Sequence, residues 1–217
     1  MTHVDLSHVI EAGMLTYMGL PAPLMCDFLS REASRGTYAP GTEFQIGSIT
    51  MVGNTGTYLD TPFHRFADGH DLAELPLARV ADCPGIVVRT MTATRAIDST
   101  AFDGIDVREK AVLIQTGWDR HWRTDRYFDG THPFLTEAAA VHLRDAGALL
   151  VGIDSYNIDD TSGGTRPVHT TLLGAGIPIV EHLTGLDQLP DAGFRFWAVP
   201  PKVKGMGTFP VRAHAIV

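Results

Sequence analysis

The run Ala111-Val112-Leu113-Ile114-Gln115-Thr116, the segment from Thr136 to Gly147 (TEAAAVHLRDAG) and the run Leu149-Leu150-Val151-Gly152-Ile153 together decide how this chain folds. The two outer runs are short and almost wholly apolar, which suits strands buried on both faces. The middle segment has the marks of a helix. Thr136 stands where an N-cap belongs, Gly147 supplies the C-terminal stop, and Ala140, Val141 and Leu143 give a modest apolar stripe. Strand, helix and strand in that order argue for an α/β sheet with at least one parallel pair.

Upstream of this unit, Ile86 to Arg89 reads as an apolar strand after a turn over Ala81 to Gly85. Phe44 to Val52 reads as a strand broken by Gly47, and His3 to Ile10 as a short first strand. Glu11 to Pro23 is punctuated by Gly and Pro and reads as a loop, made unusually apolar by Met14, Tyr17, Met18 and Leu20. Cys26 to Arg35 is expected to be a short helix ended by Gly36, and Ala67 to Leu77 a turn and a short apolar helix. Downstream, a long polar loop from Asp154 to Gly164 lies at a strand's carboxyl end, where open α/β sheets bind ligands. Pro167 to Leu173 reads as a short helix, and Ile177 to Glu181, Phe194 to Val199 and Val211 to Val217 as strands. The last two flank a basic, glycine-punctuated loop with Lys202 and Lys204.

At 217 residues the chain suits one domain, residues 1–217, able to bury a sizeable core. With 44% hydrophobic and 19% charged residues it has the composition of a folded globular protein. A net charge of −8 and the lack of a basic stripe argue against nucleic-acid binding. No apolar run approaches membrane-spanning length, and Met1 to Ile10 lacks a signal peptide's apolar core. Cys26 and Cys83 have no CxxC spacing, so they form no thiolate zinc site alone. A cytoplasmic protein acting on a small molecule, with neither nucleic acid nor membrane as partner, is the expectation.

The chemistry concentrates in Gly53-Asn54-Thr55-Gly56-Thr57-Tyr58-Leu59-Asp60-Thr61-Pro62-Phe63-His64. Glycines and threonines turn the backbone sharply, and proline keeps Thr61 out of the helical region. A carboxylate and an imidazole on such a turn suit metal binding or acid/base chemistry, although a capping Asp and a solvated His on a polar loop have the same spacing. Two later residues join them. His169 sits in an otherwise apolar short helix, where a lone His is more often a satisfied core residue. Glu181 ends an apolar strand, where a carboxylate is costly unless paired or metal-bound. Asp, His and Glu together suit zinc or manganese.

At these residues the sequence resembles the cyclase family, which includes bacterial kynurenine formamidases and isatin hydrolase, with signature H-x-G-T-H-x-D-x-P-x-H. The chain matches it at Gly56-Thr57, Asp60, Pro62 and His64. Asp5-Leu6-Ser7-His8, Gly152-Ile153-Asp154-Ser155, His169 and Glu181 extend the likeness over nearly the whole chain. The resemblance implies an α/β fold, a single compact domain with a mixed, curved β-sheet flanked by helices. It implies metal-dependent hydrolysis of small cyclic or aryl amides, and oligomers, dimer or tetramer. It further implies that Asp60, His169 and Glu181 hold metal and that His64 assists proton transfer.

Asn54 and Tyr58 stand where the signature has its two early histidines. Asn is a poor transition-metal ligand and phenol binds only when deprotonated, so a first metal site is lost or weakened. The leading expectation is a hydrolase with one divalent ion, zinc or manganese, on Asp60, His169 and Glu181. Its catalytic residues would be Asp60, His64 as proton shuttle and Tyr58 as oxyanion donor. Asn54, Trp118 and Arg166 are candidate substrate contacts, Trp118 as part of an aromatic wall with His121, Trp122 and Tyr127. His70 is a candidate replacement ligand. A metal-free acid/base cyclase, dehydratase or isomerase is the alternative, and a non-catalytic binding protein ranks last.

Overall fold

The computed structural model describes residues 1–91 and 94–217. In chain order its elements are β1 (His3–Asp5), β2 (Leu24–Leu29), α1 (Arg31–Ser34), β3 (Ile46–Thr50), β4 (Tyr58–Asp60), β5 (Cys83–Arg89) and β6 (Ala96–Ile97). There follow β7 (Ala111–Gln115), β8 (Phe134–Leu135), α2 (Glu137–Asp145), β9 (Leu150–Ile153), α3 (Pro167–Gly174), β10 (Ile179–Glu181), β11 (Ala192–Trp197), β12 (Thr208–Pro210) and β13 (His214–Ile216). One nine-stranded sheet runs in the order β1-β13-β11-β5-β7-β9-β10-β4-β12, with β2-β3 and β6-β8 as separate two-stranded pairs.

The deciding stretch folds as its pattern requires. β7 and β9 pair in parallel with Leu113 opposite Gly152, and α2 connects them. Thr136 accepts a hydrogen bond from the Ala139 amide, as an N-cap does, and Gly147 takes φ 82° just past the helix. β5, β7, β9 and β10 form the parallel centre, and antiparallel strands complete both ends, so the sheet is mixed.

Side chains alternate across the sheet into two apolar layers. Ile86, Val88, Val112, Ile114, Val151 and Ile179 face α2 and α3, whose Ala140, Leu143, Val168 and Leu172 complete that layer. Val87, Leu113, Val180 and Leu59 face the other way, with Val4, Phe196 and Ala215. Val4 and Leu59 lie near opposite ends of the strand order yet share this layer, because the sheet curls around it. Backbone bonds from Leu6 N to Ala213 O and from Thr184 N to Leu6 O close the curl. The result is a single compact domain with few helices.

Several expected elements differ. Cys26 to Leu29, expected as helix, belongs to strand β2, because residues 24–29 pair with β3; only Arg31–Ser34 turns into helix. The supposed turn at Ala81 to Gly85 already contains the start of β5, and the first strand stops at Asp5. Residues 58–60 and 208–210 are strands rather than loop. Each is only three residues long, too short for alternation to register; they pair with each other, and β4 pairs also with β10. Among the described residues no helix is long and apolar enough to cross a membrane.

Candidate metal centre and cavity

β4 puts Leu59 into the core and turns Tyr58 and Asp60 to the side of the sheet that carries α3. Its two neighbours complete the site by register. Glu181 on β10 is paired opposite Tyr58, and Thr208 on β12 is paired opposite Asp60. His169 comes from the first turn of α3. Pro167 starts that helix, and Asp159 caps it by accepting the Val168 amide at 2.7 Å and the His169 amide at 3.1 Å.

The same Asp159 carboxylate takes the His169 ring nitrogen Nδ1 at 2.6 Å. The carboxylate is acceptor-only, so Nδ1 carries a proton, and in the neutral ring, the form that binds a cation, Nε2 keeps its lone pair. That Nε2 lies 3.7 Å from Asp60 Oδ2 and 3.8 Å from Glu181 Oε1. Thr208 aligns the opposite side. Its hydroxyl donates to Asp60 Oδ1, so its oxygen is free to accept from His64 Nδ1 at 2.7 Å. This also leaves His64 with a free Nε2, near the surface, where its side chain is 36% exposed.

Asp60 is fully buried, and its Oδ2 has no hydrogen-bond partner among the described residues. A buried carboxylate oxygen without a donor is costly unless a cation sits against it. Electrostatics agree. Burial opposes the His169 imidazolium, but the hydrogen bond to Asp159 and the nearby carboxylates of Asp60 and Glu181 outweigh it and lift the ring to about 10. Burial lifts Glu181 to about 7. A pocket that draws a proton this strongly onto an imidazole is an anionic hole suited to a cation. Asp60, His64 and His169 each offer a ligand atom within 4.8 Å of the others. Carboxylate oxygens with unprotonated imidazole nitrogens fit a divalent transition ion.

Glu181 is more engaged than expected. Its Oε1 accepts the Ile158 amide at 2.7 Å and its Oε2 accepts the Tyr58 hydroxyl at 2.5 Å. The Tyr58 hydroxyl therefore donates its one hydrogen bond to Glu181 and does not point it at a substrate oxyanion. A cavity of about 310 Å³ opens over these groups, lined by Tyr17, Asn54, His64, Arg65, Arg166 and His169 among others.

Asn54 and Arg166 thus reach the expected place. The Arg166 guanidinium donates to the Asp160, Gly163 and Thr165 carbonyls and makes no ion pair with a carboxylate among the described residues. Trp118 does not line the cavity. Gly117, at φ 71°, turns the chain inward after β7, and Trp118 is buried against Tyr127 and Tyr156 with its ring N–H on the Tyr127 carbonyl. The aromatic wall is instead Tyr17, stacked on Tyr156 at 4.6 Å and held by Asn157. His70 is exposed and outside the ligand cluster. Asp159, Thr208, Tyr17 and Arg65 carry no motif. Only the polar loop after β9 pointed toward Asp159.

Fold and site together define a single-domain α/β protein with a curled mixed sheet and a candidate metal centre. A family model described as a putative cyclase matches residues 4–160, and the chain belongs to the cyclase family. It is 31% identical over 182 residues to the kynurenine formamidase of Geobacillus thermodenitrificans (strain NG80-2), covering 83% of this chain and 84% of the relative. Among solved structures, a predicted metal-dependent hydrolase from Bacillus stearothermophilus superposes with a TM-score of 0.77 at 26% identity, covering 99% of this chain and 97% of that one. Isatin hydrolase A from Labrenzia aggregata, bound to benzyl benzoate, shares the fold with a TM-score of 0.85 at 23% identity, covering 100% and 93%.

Proposed function

We propose that this chain hydrolyses a small cyclic or aryl amide or lactone, in the manner of an arylformamidase. It does so with one divalent ion, zinc or manganese, held by Asp60, His169 and Glu181. The observation that carries this reading is the buried Asp60 Oδ2, which lacks a donor and faces the lone pair of His169 Nε2. Such an ion, when bound, supplies Lewis acidity that polarises a carbonyl and acidifies water.

The chain's own groups do the rest. Asp159 holds the His169 tautomer and ring plane, and Thr208 does the same for His64. His64 Nε2 faces the cavity, placed to take a proton from the attacking water and return it to the leaving nitrogen or oxygen. Its partial exposure lets it exchange protons with solvent. Tyr58 holds Glu181 in place. Asn54 donates to or accepts from the substrate's polar edge, and Tyr17 packs against a planar ring. Arg166 receives a carboxylate on the substrate.

The test is elemental mass spectrometry on protein purified without chelator, run beside hydrolysis of a panel of aryl formamides, lactams and lactones. About one zinc or manganese per chain, with metal and activity both lost in His169→Ala, is expected. A fully active, metal-free His169→Ala would sink the scheme. A metal-free acid/base reaction is the second reading, favoured by Asn54 and Tyr58 at the two signature histidine positions. Activity surviving exhaustive chelation would select it.

A further inference from the structure

Arg65 and Arg166 are the two arginines on the wall of the cavity, and neither meets a carboxylate among the described residues. Thr170, one turn into α3, fixes them relative to each other. Its hydroxyl donates to the Arg166 carbonyl at 2.7 Å and accepts from Arg65 Nε at 3.2 Å. The Arg65 guanidinium also lies over the Phe66 ring, 5.3 Å from its centroid. Arg166 reaches its three carbonyls through Nη1 alone. Each fork is thus anchored at one part. The rest, Nη1 and Nη2 of Arg65 with Nε and Nη2 of Arg166, meets no acceptor among the described residues. The same two side chains border a second cleft of about 590 Å³, with Glu137, Thr165 and Thr171 on its wall. Cavity and cleft therefore share Arg65 and Arg166 as their boundary.

We propose that this boundary is a second compartment of the substrate site, in which Arg65 and Arg166 together grip a carboxylate carried on a side arm of the substrate. The arm reaches from the cavity toward the cleft, and the acid lies against the unanchored N–H groups of both forks. The proposal rests on the hydrolase reading for the position of the reacting bond; the grip on the acid does not.

Charge selects the ligand. Asp60 and Glu181 are the buried acids of the centre, and a divalent ion there offsets both, which leaves the two arginines as the cavity's surplus. On a chain that carries −8 overall, such a local positive spot draws an anion in from solvent. A planar guanidinium fork matches the two oxygens of a carboxylate, and forks already anchored lose less freedom when they bind it. Glu137 on the cleft wall favours a single negative charge over a phosphate dianion. Arg65 is thus a specificity residue beside Arg166, and Thr170 is the residue that positions it.

The experiment compares formanilides that carry a carboxyethyl arm at the ortho, meta or para position, each beside its neutral hydroxypropyl counterpart. The wild type should hydrolyse at least one acid about tenfold better in kcat/KM than its neutral partner, mainly through KM. Arg65→Gln should bring that ratio close to one. A ratio near one in the wild type at every ring position, or a ratio that Arg65→Gln leaves intact, would overturn the proposal. Should Arg65→Gln lose its fold by circular dichroism, Thr170→Val replaces it under the same criteria, because it keeps both charges and frees Arg65. Calorimetry with hydrocinnamate and hydrocinnamyl alcohol, which have no bond to hydrolyse, separates this proposal from the hydrolase reading. If no formanilide is turned over, but hydrocinnamate binds about tenfold tighter than the alcohol and loses that advantage in Arg65→Gln, the compartment stands and the hydrolase reading falls. If formanilides are hydrolysed without preference and the two probes bind alike, the reverse holds. Hydrocinnamate binding that is lost in His169→Ala but kept in Arg65→Gln places the acid at the metal centre and overturns the proposal.

Discussion

Tyr58 and Glu181 are cross-strand partners whose side chains meet in a 2.5 Å hydrogen bond, the phenol donating to Oε2. Family relatives with the full signature have a histidine where this chain has Tyr58. Here that position supplies a hydrogen-bond donor to Glu181, a proposed ligand. Tyr58→Phe should leave Oε2 buried without its donor and cost ~1–3 kcal/mol. Thermal unfolding of the variant, expected several degrees below the wild type, measures it.

Asn54 and Tyr58 both line the cavity that holds His169 and Glu181. The double substitution Asn54→His with Tyr58→His should therefore raise bound zinc or manganese from about one ion to about two per chain. Elemental analysis after dialysis reads the ratio directly. No increase would mean that more than these two side chains separates the chain from a two-ion site.

Asp159→Asn retains an oxygen to cap α3 but loses the charge that orients His169. Partners of this kind are worth ~10–100-fold in metal affinity. Competition with a chromophoric chelator should show a loss of that order, and the melting temperature should fall by several degrees, because the amide leaves one of the three buried N–H groups without an acceptor.

Gly207 lies so close to the signature that a Cβ there would run into the backbone of His64 and Phe63. Gly207→Ala should displace His64 and lower stability by ~1–3 kcal/mol, as overpacking does. Gly164→Ala, whose Cβ meets nothing within 4 Å, serves as the control and should leave stability near that of the wild type.

Three histidines outside the metal centre make the fold sensitive to acid. Burial lowers His8 to about 4 against the opposing charge of Asp119. Burial also lowers His132, and it lowers His182 well below the usual range, helped there by His8 and His132. Each is held neutral in the fold while the unfolded chain protonates near 6.5. Their contribution is thus complete above that pH and is lost as pH falls from about 6.5 toward about 4, His8 alone accounting for up to ~3 kcal/mol. Melting temperature should decline steadily across that window, and His8→Gln should make the decline shallower.

How much of this was legible follows from what local pattern can carry. The parallel centre was readable because Ala111 to Gln115 and Leu150 to Ile153 are almost wholly apolar runs around a capped helix. Asp60, His64, His169 and Glu181 were readable as chemistry because each breaks an apolar or constrained context. Strands β4 and β12 were not, since three residues carry no periodicity and their identity comes from distant partners. Thr208 was hidden for the same reason: its role exists only through its register with Asp60. Cys26 to Leu29 resembled helix because exposed apolar residues on both faces defeat the alternation that marks a strand.

Strand β4 also sets when the protein can become itself. Tyr58 is separated from Glu181 by 123 positions, and Asp60 from Thr208 by 148. On the ribosome, β4 is therefore made long before either flanking strand exists. A nascent chain can assemble β5, β7 and β9, but Asp60 stays in water until β10 and β12 have left the exit tunnel. The site is completed only near the end of the chain, so a product stopped before β10 would have much of the parallel centre and none of the chemistry.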